Sequence, residues 1–455
     1  MKDNRETDIT TTMNKKRIAI LGGGFSGIGV LKNLQKEFSK DENVDITIIS
    51  ENNFLLFTPM LPEIVSGTVE TRHIVTPIRS FCSKATTFYE AEVKSISLQD
   101  KVITLSHSVG RQSNDSKNKN ENININTHDH KLHYDYLVIA LGSENNFFGN
   151  SNIEQNAFTL KTISDAIILR NHLIKVLEQA SIEQTNKELR KSLLTFTVVG
   201  GGFSGVETVG AINDFVRESV KLYYPNIYMS DVKVILVSAT NNLLEQIDED
   251  LGHYAFEKLK QNGVEFIMNT LVKDINKDRV TLSNNTVIPC YSLIWTAGVT
   301  PNKLITNLNC EHAKDHRIIT NNNLEISGFE NIVYALGDCA SIIDPHTGKP
   351  YPPTAQVAIR QSDVVSNNII STIKGCNNTE KRKVFDYKSK GMMAEIGKRT
   401  GVAILFGKIK LHGFSAWWLW RTYYLSNLPT TRKKIKVIGD WLFDFIFKPD
   451  VSQIQ

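Results

Sequence analysis

Two loops spelled with the same six letters carry the clearest chemistry in this chain. Gly22-Gly23-Gly24-Phe25-Ser26-Gly27 follows the short apolar run 17–21, and Gly200-Gly201-Gly202-Phe203-Ser204-Gly205 follows the apolar run 194–199; each opens a helical pattern. In Gly-x-Gly-x-x-Gly the first glycine makes the turn, the second lets backbone approach a pyrophosphate, and the third lets helix pack on strand. The helix N-terminus then offers N–H groups and a positive dipole end to the phosphates. One such loop is often a plain strand-to-helix turn; two copies imply two dinucleotides. The serines do not build a hydrolase elbow, because Gly-x-Ser-x-Gly needs a glycine where Ile28 and Val206 stand. Ser26 and Ser204 are expected at the helix starts, donating to phosphate or capping backbone.

The elements that position these loops read as α/β. At 455 residues the chain is expected to form about three units. The run Tyr136 to Ala140, ending at Gly142, reads as the return strand of the first nucleotide domain; Ser292 to Gly298 plays that part in the second. A third strand and turn, Asn331 to Ala340, contains Asp338. The tract 107–133 is rich in Asn, Ser, Lys and His and is expected to be a disordered surface insertion. The organisation expected is a disordered N-terminus over 1–15, a first dinucleotide-binding domain over 16–155 and 306–385, a second inserted at 156–305, and a membrane-associating C-terminal region over 386–455.

Composition narrows the partners. Apolar residues make up 41%, charged residues 22%, and the net charge is +4, which gives no reason to expect nucleic acid. The N-terminus lacks the apolar core of a signal peptide, so the body is expected on the cytoplasmic side, and no run of 18 apolar residues forecasts a spanning helix. Cys82, Cys290, Cys310, Cys339 and Cys376 form no close redox pair, and no spaced His/Cys set calls for a metal.

The tail differs from the rest of the chain. From Gly407 to Lys436 there are seven Lys/Arg and no Asp or Glu, and Trp417, Trp418, Trp420 and Trp441 lie there or just beyond. Basic residues beside tryptophan suit a lipid headgroup region. Over 435–448, Lys436, Asp440, Asp444 and Lys448 recur every four residues, leaving a wide apolar face of Ile435, Ile438, Trp441, Leu442, Phe445 and Ile446. That face is expected to dock monotopically on a membrane or to pack in a homodimer.

The paired loops, the turn at Ala335-Leu336-Gly337-Asp338, the segment from Phe57 through Pro59 to Glu63 and the run Pro352-Pro353-Thr354-Ala355-Gln356-Val357-Ala358 together resemble the type II NADH dehydrogenases, flavoproteins with two dinucleotide-binding domains. The resemblance implies FAD held by Gly22, Gly24, Phe25, Ser26, Gly27, Ser50, Glu51, Pro59, Val93, Ala140, Gly142, Asp338 and Gln356. It implies a nicotinamide nucleotide held by Gly200, Gly202, Ser204, Gly205, Glu207, Ser238, Ala297 and Gly298. It further implies a quinone met by Gln356, Arg360 and Lys390, with Glu207, Gln356 and Lys390 taking part in catalysis. Glu207 has a second reading as a first-turn carboxylate favoured by the helix dipole, and Lys390 as a solvated lysine.

Three positions depart from the pattern. Ser50, with Glu51 after it, stands where an acid would hold the adenosine ribose; Ser238 stands there in the second domain, so NADH is expected but NADPH is not excluded. Arg360 stands where a second glutamine is usual, and can still donate to a quinone oxygen. The rival readings are a sulfide:quinone oxidoreductase, which needs cysteines at the flavin, and a non-catalytic FAD/NADH sensor.

Overall fold

The computed structural model describes residues 15–106, 129–375 and 382–453. The expected disordered N-terminus lies outside them except for Lys15, as do Cys376 and most of the Asn-rich tract. Two compact units divide the chain.

The first unit holds residues up to Leu55, Pro77–Ser143 and Thr300–Tyr387. Its centre is a parallel sheet in the order Val333–Ala335, Tyr136–Ile139, Lys16–Leu21, Val44–Ser50, Thr86–Glu90. The strand Lys16–Leu21 is apolar from Ile18 onward because it lies between neighbours on both edges and is covered on both faces. Helices Phe25–Phe38 and Ala355–Ile373 pack together over one face, where Leu31, Leu34, Val365 and Ile369 are fully buried. The expected return strand and the later third strand are therefore both sheet neighbours.

The tract expected to be wholly irregular ends in order. His130–His133 pairs antiparallel with Val102–Ser106, from Leu105 opposite His130 to Val102 opposite His133. Ladder hydrogen bonds hold this polar edge strand without a buried apolar face, so composition alone conceals it.

The second unit holds Leu56–Thr76, Glu144–Val299 and the chain from Lys388 onward. Its parallel sheet runs Val264–Ile267, Lys233–Val237, Thr195–Val199, Ser292–Trp295. Thus the helix Leu61–Ser66 and the whole C-terminal region group with the second loop, a division the expected boundaries at 155 and 386 do not contain. The tail forms an antiparallel sheet of Gly391–Gly397, Thr400–Leu405 and Ile409–Gly413, then helices Phe414–Asn427 and Thr431–Ile446.

Among the described residues no helix is long and apolar enough to cross a membrane. The last helix turns the two aspartates of its polar stripe, Asp440 and Asp444, inward, while Lys436 and Lys448 stay exposed. Asp440 is held by His73, 2.5 Å from its Nδ1, and by the backbone N–H of Glu70, while Phe445 and Ile446 are 66% and 70% exposed. Nor do the tail's tryptophans all face outward: Trp418 is exposed, but Trp417, Trp420 and Trp441 direct their indole N–H groups at glutamates. An indole N–H that is taken from water needs an acceptor, and here carboxyl groups supply it.

Candidate active site

The two glycine loops adopt one geometry. Gly22 and Gly200 have φ of +110° and +125°, accessible only to glycine without strain. A Cβ on Gly22 would lie 2.1 Å from the Ala140 carbonyl oxygen, and one on Gly27 or Gly205 would lie 1.9 Å from the carbonyl oxygen of Gly22 or Gly200. These contacts fix the first and third glycines by helix-to-strand packing. The middle ones are different: at Gly24 and Gly202 a Cβ would meet nothing within 4 Å, so open space lies beside each helix start. No side chain caps either helix, in contrast to Phe203–Tyr223's neighbours Ile163–Ile182 and Glu249–Gln261, capped by Thr162 and Asp248. Open space beside uncapped helix N-termini fits two pyrophosphates.

The expected capping role of Ser26 and Ser204 is therefore not realised. Both fall inside the first helical turn, where Gly24 and Gly202 occupy the cap position.

Around the first loop, Ser50 ends its strand next to Gly23, and Glu51 is exposed just beyond. Asp338 sits in the turn Gly337–Cys339 and accepts from Ser143 Oγ at 2.8 Å; the Gly337 N–H donates to Gln361 Oε1 at 2.7 Å. The helix Ala355–Ile373 opens on Thr354, whose hydroxyl accepts from the Val357 N–H. Gln356 lies in its first turn, as expected, and its Oε1 accepts from Tyr387 Oη at 3.1 Å. Arg360 is exposed on the same helix near Asp363, at 4.0 Å. Val93 is a half-buried strand residue; Gly142, at φ +70°, has open space around it.

Around the second loop, Ser238 is buried at its strand end and its hydroxyl is engaged locally, 3.1 Å from Thr240 Oγ1 and accepting from the Thr240 N–H. Ala297 and Gly298 follow the neighbouring strand, and Pro59 lies in the short turn Thr58–Met60. Lys390 is exposed at the start of the tail sheet, where only its backbone carbonyl has a described partner, the Phe406 N–H.

Glu207 is not in the first helical turn, which contains no acid. It lies one turn further on, beyond the reach of the free N–H groups, so the dipole account does not explain it. Its Oε1 accepts instead from the Glu395 N–H at 3.2 Å and from Trp420 Nε1 at 3.1 Å. Burial pushes this carboxyl up to about 8.

Two further acids surround the same space. Glu395 Oε1 accepts from Trp417 Nε1 at 2.8 Å, and Glu63 Oε1 accepts from Trp441 Nε1 at 2.9 Å and from Arg421 at 3.3 Å. The Arg421 guanidinium stands 4.4 and 4.5 Å from the Trp417 and Trp441 ring centres. Burial, partly offset by Arg421, pushes Glu63 up to about 7; burial and the charge of Glu63 drive Glu395 well above the usual carboxylate range. The group lines a cavity of about 70 Å³.

Of these acids the glycine-loop pattern points to Glu207 alone; Glu63 closes the segment Phe57–Glu63 with no local signal of its own. Glu395 and Arg421 had a usable signal, since each is a lone charge inside a strongly apolar run, Met392 to Ile396 and Trp417 to Tyr424.

Residues 16–362 match the family described as pyridine nucleotide-disulphide oxidoreductase, and residues 389–450 match the NDH2 C-terminal domain. The chain is 32% identical over 446 residues to a probable NADH dehydrogenase of Dictyostelium discoideum, covering 97% of this chain and 92% of that one. It is 30% identical to the mitochondrial external NADH-ubiquinone oxidoreductase 2 of Saccharomyces cerevisiae, with 98% and 84% coverage. The solved structure of NDH2 from Plasmodium falciparum in complex with RYL-552 superposes with a TM-score of 0.85 over 96% of this chain and 100% of that one, at 24% identity, which establishes a shared fold.

Proposed function

The chain belongs to the pyridine nucleotide-disulphide oxidoreductases, in the type II NADH dehydrogenase branch, and on that premise we propose that it oxidises NADH and reduces a quinone by two electrons. The observation that carries this reading is the pair of matching glycine loops, each opening an uncapped helix onto free space, joined in one chain to a tail of the NDH2 type.

In this reading the first loop holds FAD. Gly22, Gly24 and Gly27 admit its pyrophosphate, Ser50 or Glu51 meets the adenosine ribose, and Asp338 meets the ribityl or pyrophosphate part. The N-terminus of the helix Ala355–Ile373 and Gln356 serve the reactive ring, where a helix dipole favours developing negative charge. The bound flavin supplies hydride acceptance and two-electron delivery. Gly200, Gly202 and Gly205 hold NADH. With Ser238 turned onto Thr240 and no Lys or Arg over 239–244, the second site has neither a carboxylate nor a cation for the 2′ position, and NADH is favoured over NADPH.

Glu207 keeps its proton at neutral pH and is the chain's own proton donor toward the acceptor. Gln356, Arg360 and Lys390 are the groups proposed to meet the quinone. The exposed apolar face of the last helix, with Ile435, Leu442, Phe445 and Ile446, beside the basic tail supports attachment to an anionic membrane surface from which a lipid-soluble quinone enters.

The sulfide-oxidising reading lacks support. Cys339, next to Asp338, is fully buried and its sulfur approaches the carbonyls of Leu336 and Ile139, leaving no reactive thiol there. The test is steady-state oxidation of NADH and of NADPH by a soluble quinone, using flavin-loaded protein. Turnover with NADH exceeding that with NADPH is expected; bound flavin without turnover would mark a sensor instead.

A further inference from the structure

Glu63, Glu207 and Glu395 come from three separate elements, the helices Leu61–Ser66 and Phe203–Tyr223 and the strand Gly391–Gly397. Each carboxyl accepts from a different tryptophan of the two C-terminal helices, and among the described residues Arg421 is the cation that bonds to the group, through Glu63. Three ionised carboxylates would leave two uncompensated negative charges in a buried space, a state far more costly than binding protons. The oxygen Glu63 Oε2 gives a second, independent sign: it is buried and has no hydrogen-bond partner among the described residues, as suits a carboxyl oxygen that carries a proton or meets water in the cavity it lines. The cavity has these carboxyl groups in its wall and is large enough for a short chain of waters.

We propose that Glu63, Glu207 and Glu395 share protons as one unit around Arg421, with Glu63 and Glu395 as positioning residues that keep Glu207 supplied with a proton. This rests on the quinone-reductase reading. NADH delivers two electrons and one proton as hydride, whereas a quinol carries two electrons and two protons, so one further proton enters per turnover. The O–H bond at Glu207 breaks, an O–H bond forms on the quinone oxygen, and the Glu207 carboxylate is reprotonated by its two neighbours, which recover theirs from solvent through the cavity.

Other charges face the unit. From Phe203–Tyr223 these are Asp214 and Glu218; from the turn after Gly397 they are Lys398 and Arg399. From the last helix Asp440 and Asp444 add negative charge toward Glu63, and Tyr424 lies near Glu207. Lys398 pairs with Glu218 and donates its backbone N–H to Asp214, so that carboxylate pair is already answered by a cation.

The test combines infrared spectroscopy with pH profiles on flavin-loaded wild-type protein and the variants E63Q, E395Q and E207Q. In the wild type a protonated-carboxyl band should be present at neutral pH and weaken as pH passes from about 7 through about 8. E395Q keeps an acceptor for Trp417 but removes one buried charge. Glu207 should then ionise at lower pH, and quinone turnover should lose roughly tenfold at the alkaline end for each pH unit of that displacement, with KM for NADH unchanged. Absence of the band in the wild type at neutral pH overturns the proposal, as does an E395Q protein with unaltered band and unaltered pH profile. If a variant fails to fold, the wild-type band alone decides. Failure of NADH to drive quinone turnover would sink the functional reading while leaving the infrared result to judge the proton unit separately.

Discussion

Gly29 and Glu207 stand at the same position after the same six-residue loop, and there the two halves of the molecule part company. In the first half a Cβ at Gly29 would lie 2.3 Å from the Ser362 hydroxyl, so glycine permits the helices Phe25–Phe38 and Ala355–Ile373 to approach closely. In the second half the side chain at this position enters a buried carboxyl cluster. Matching glycine loops thus open onto different surroundings: one helix is committed to packing, the other brings an acid into a buried carboxyl cluster. The repeated motif specifies nucleotide binding, while the second position after it distinguishes the two halves, Gly29 in one and Glu207 in the other.

The strongest way to break the comparison is at the third glycines. Gly27→Ala and Gly205→Ala force a Cβ to 1.9 Å from a carbonyl oxygen, and each should destabilise by about 3 kcal/mol or more. Gly27→Ala should abolish flavin retention; Gly205→Ala should leave flavin in place and lose NADH. Thermal unfolding and flavin content after gel filtration measure both. If the two variants lose the same ligand, the assignment of loops is wrong.

Exchanging the divergent residue comes next. Glu207→Gln should lower quinone turnover by about 10²-fold, the usual weight of a proton donor, with flavin reduction by NADH nearly unchanged in single-turnover measurements. Gly29→Glu should instead fail by packing, with a carboxylate driven against Ser362 and a lowered melting temperature.

Stability should respond to pH with a definite sign. Glu207 and Glu63 ionise in the folded state near 8 and 7, above the unfolded value of 4.5, so between these limits the folded state holds more protons than the unfolded. Their contribution is complete below about 4.5, shrinks as pH rises and is gone above about 8. The melting temperature of wild type relative to an E63Q/E207Q variant should therefore fall across that range; a rise with pH would refute the buried, protonated assignment.

The smallest effect on stability is expected on the last helix. Leu442→Asp and Phe445→Asp alter exposed positions and should shift stability by about 0.5 kcal/mol or less, yet weaken binding to vesicles of anionic lipid. Unchanged vesicle binding with loss of a dimer in sedimentation would assign that face to self-association.

The loops, their strands and the return strands were legible because glycine spacing and short buried apolar runs are local signals. The division into units was not, since the grouping of Leu61–Ser66 with the tail depends on contacts such as Glu63 with Arg421 and Trp441, which are far apart in the chain. The tail's composition spoke for a membrane, and the structure leaves Ile435, Leu442, Phe445 and Ile446 of the last helix exposed. Composition could not show that Trp417, Trp420 and Trp441 point inward, because a tryptophan beside a basic residue reads the same whether its N–H meets a headgroup or a glutamate.

The most direct measurement mixes the flavin-loaded protein with NADH under anaerobic conditions, follows the oxidised-flavin absorption, and then adds a soluble quinone. Rapid loss of that absorption followed by full recovery on quinone addition is expected. Absorption that does not change with NADH, or that stays bleached when quinone is added, would contradict the account.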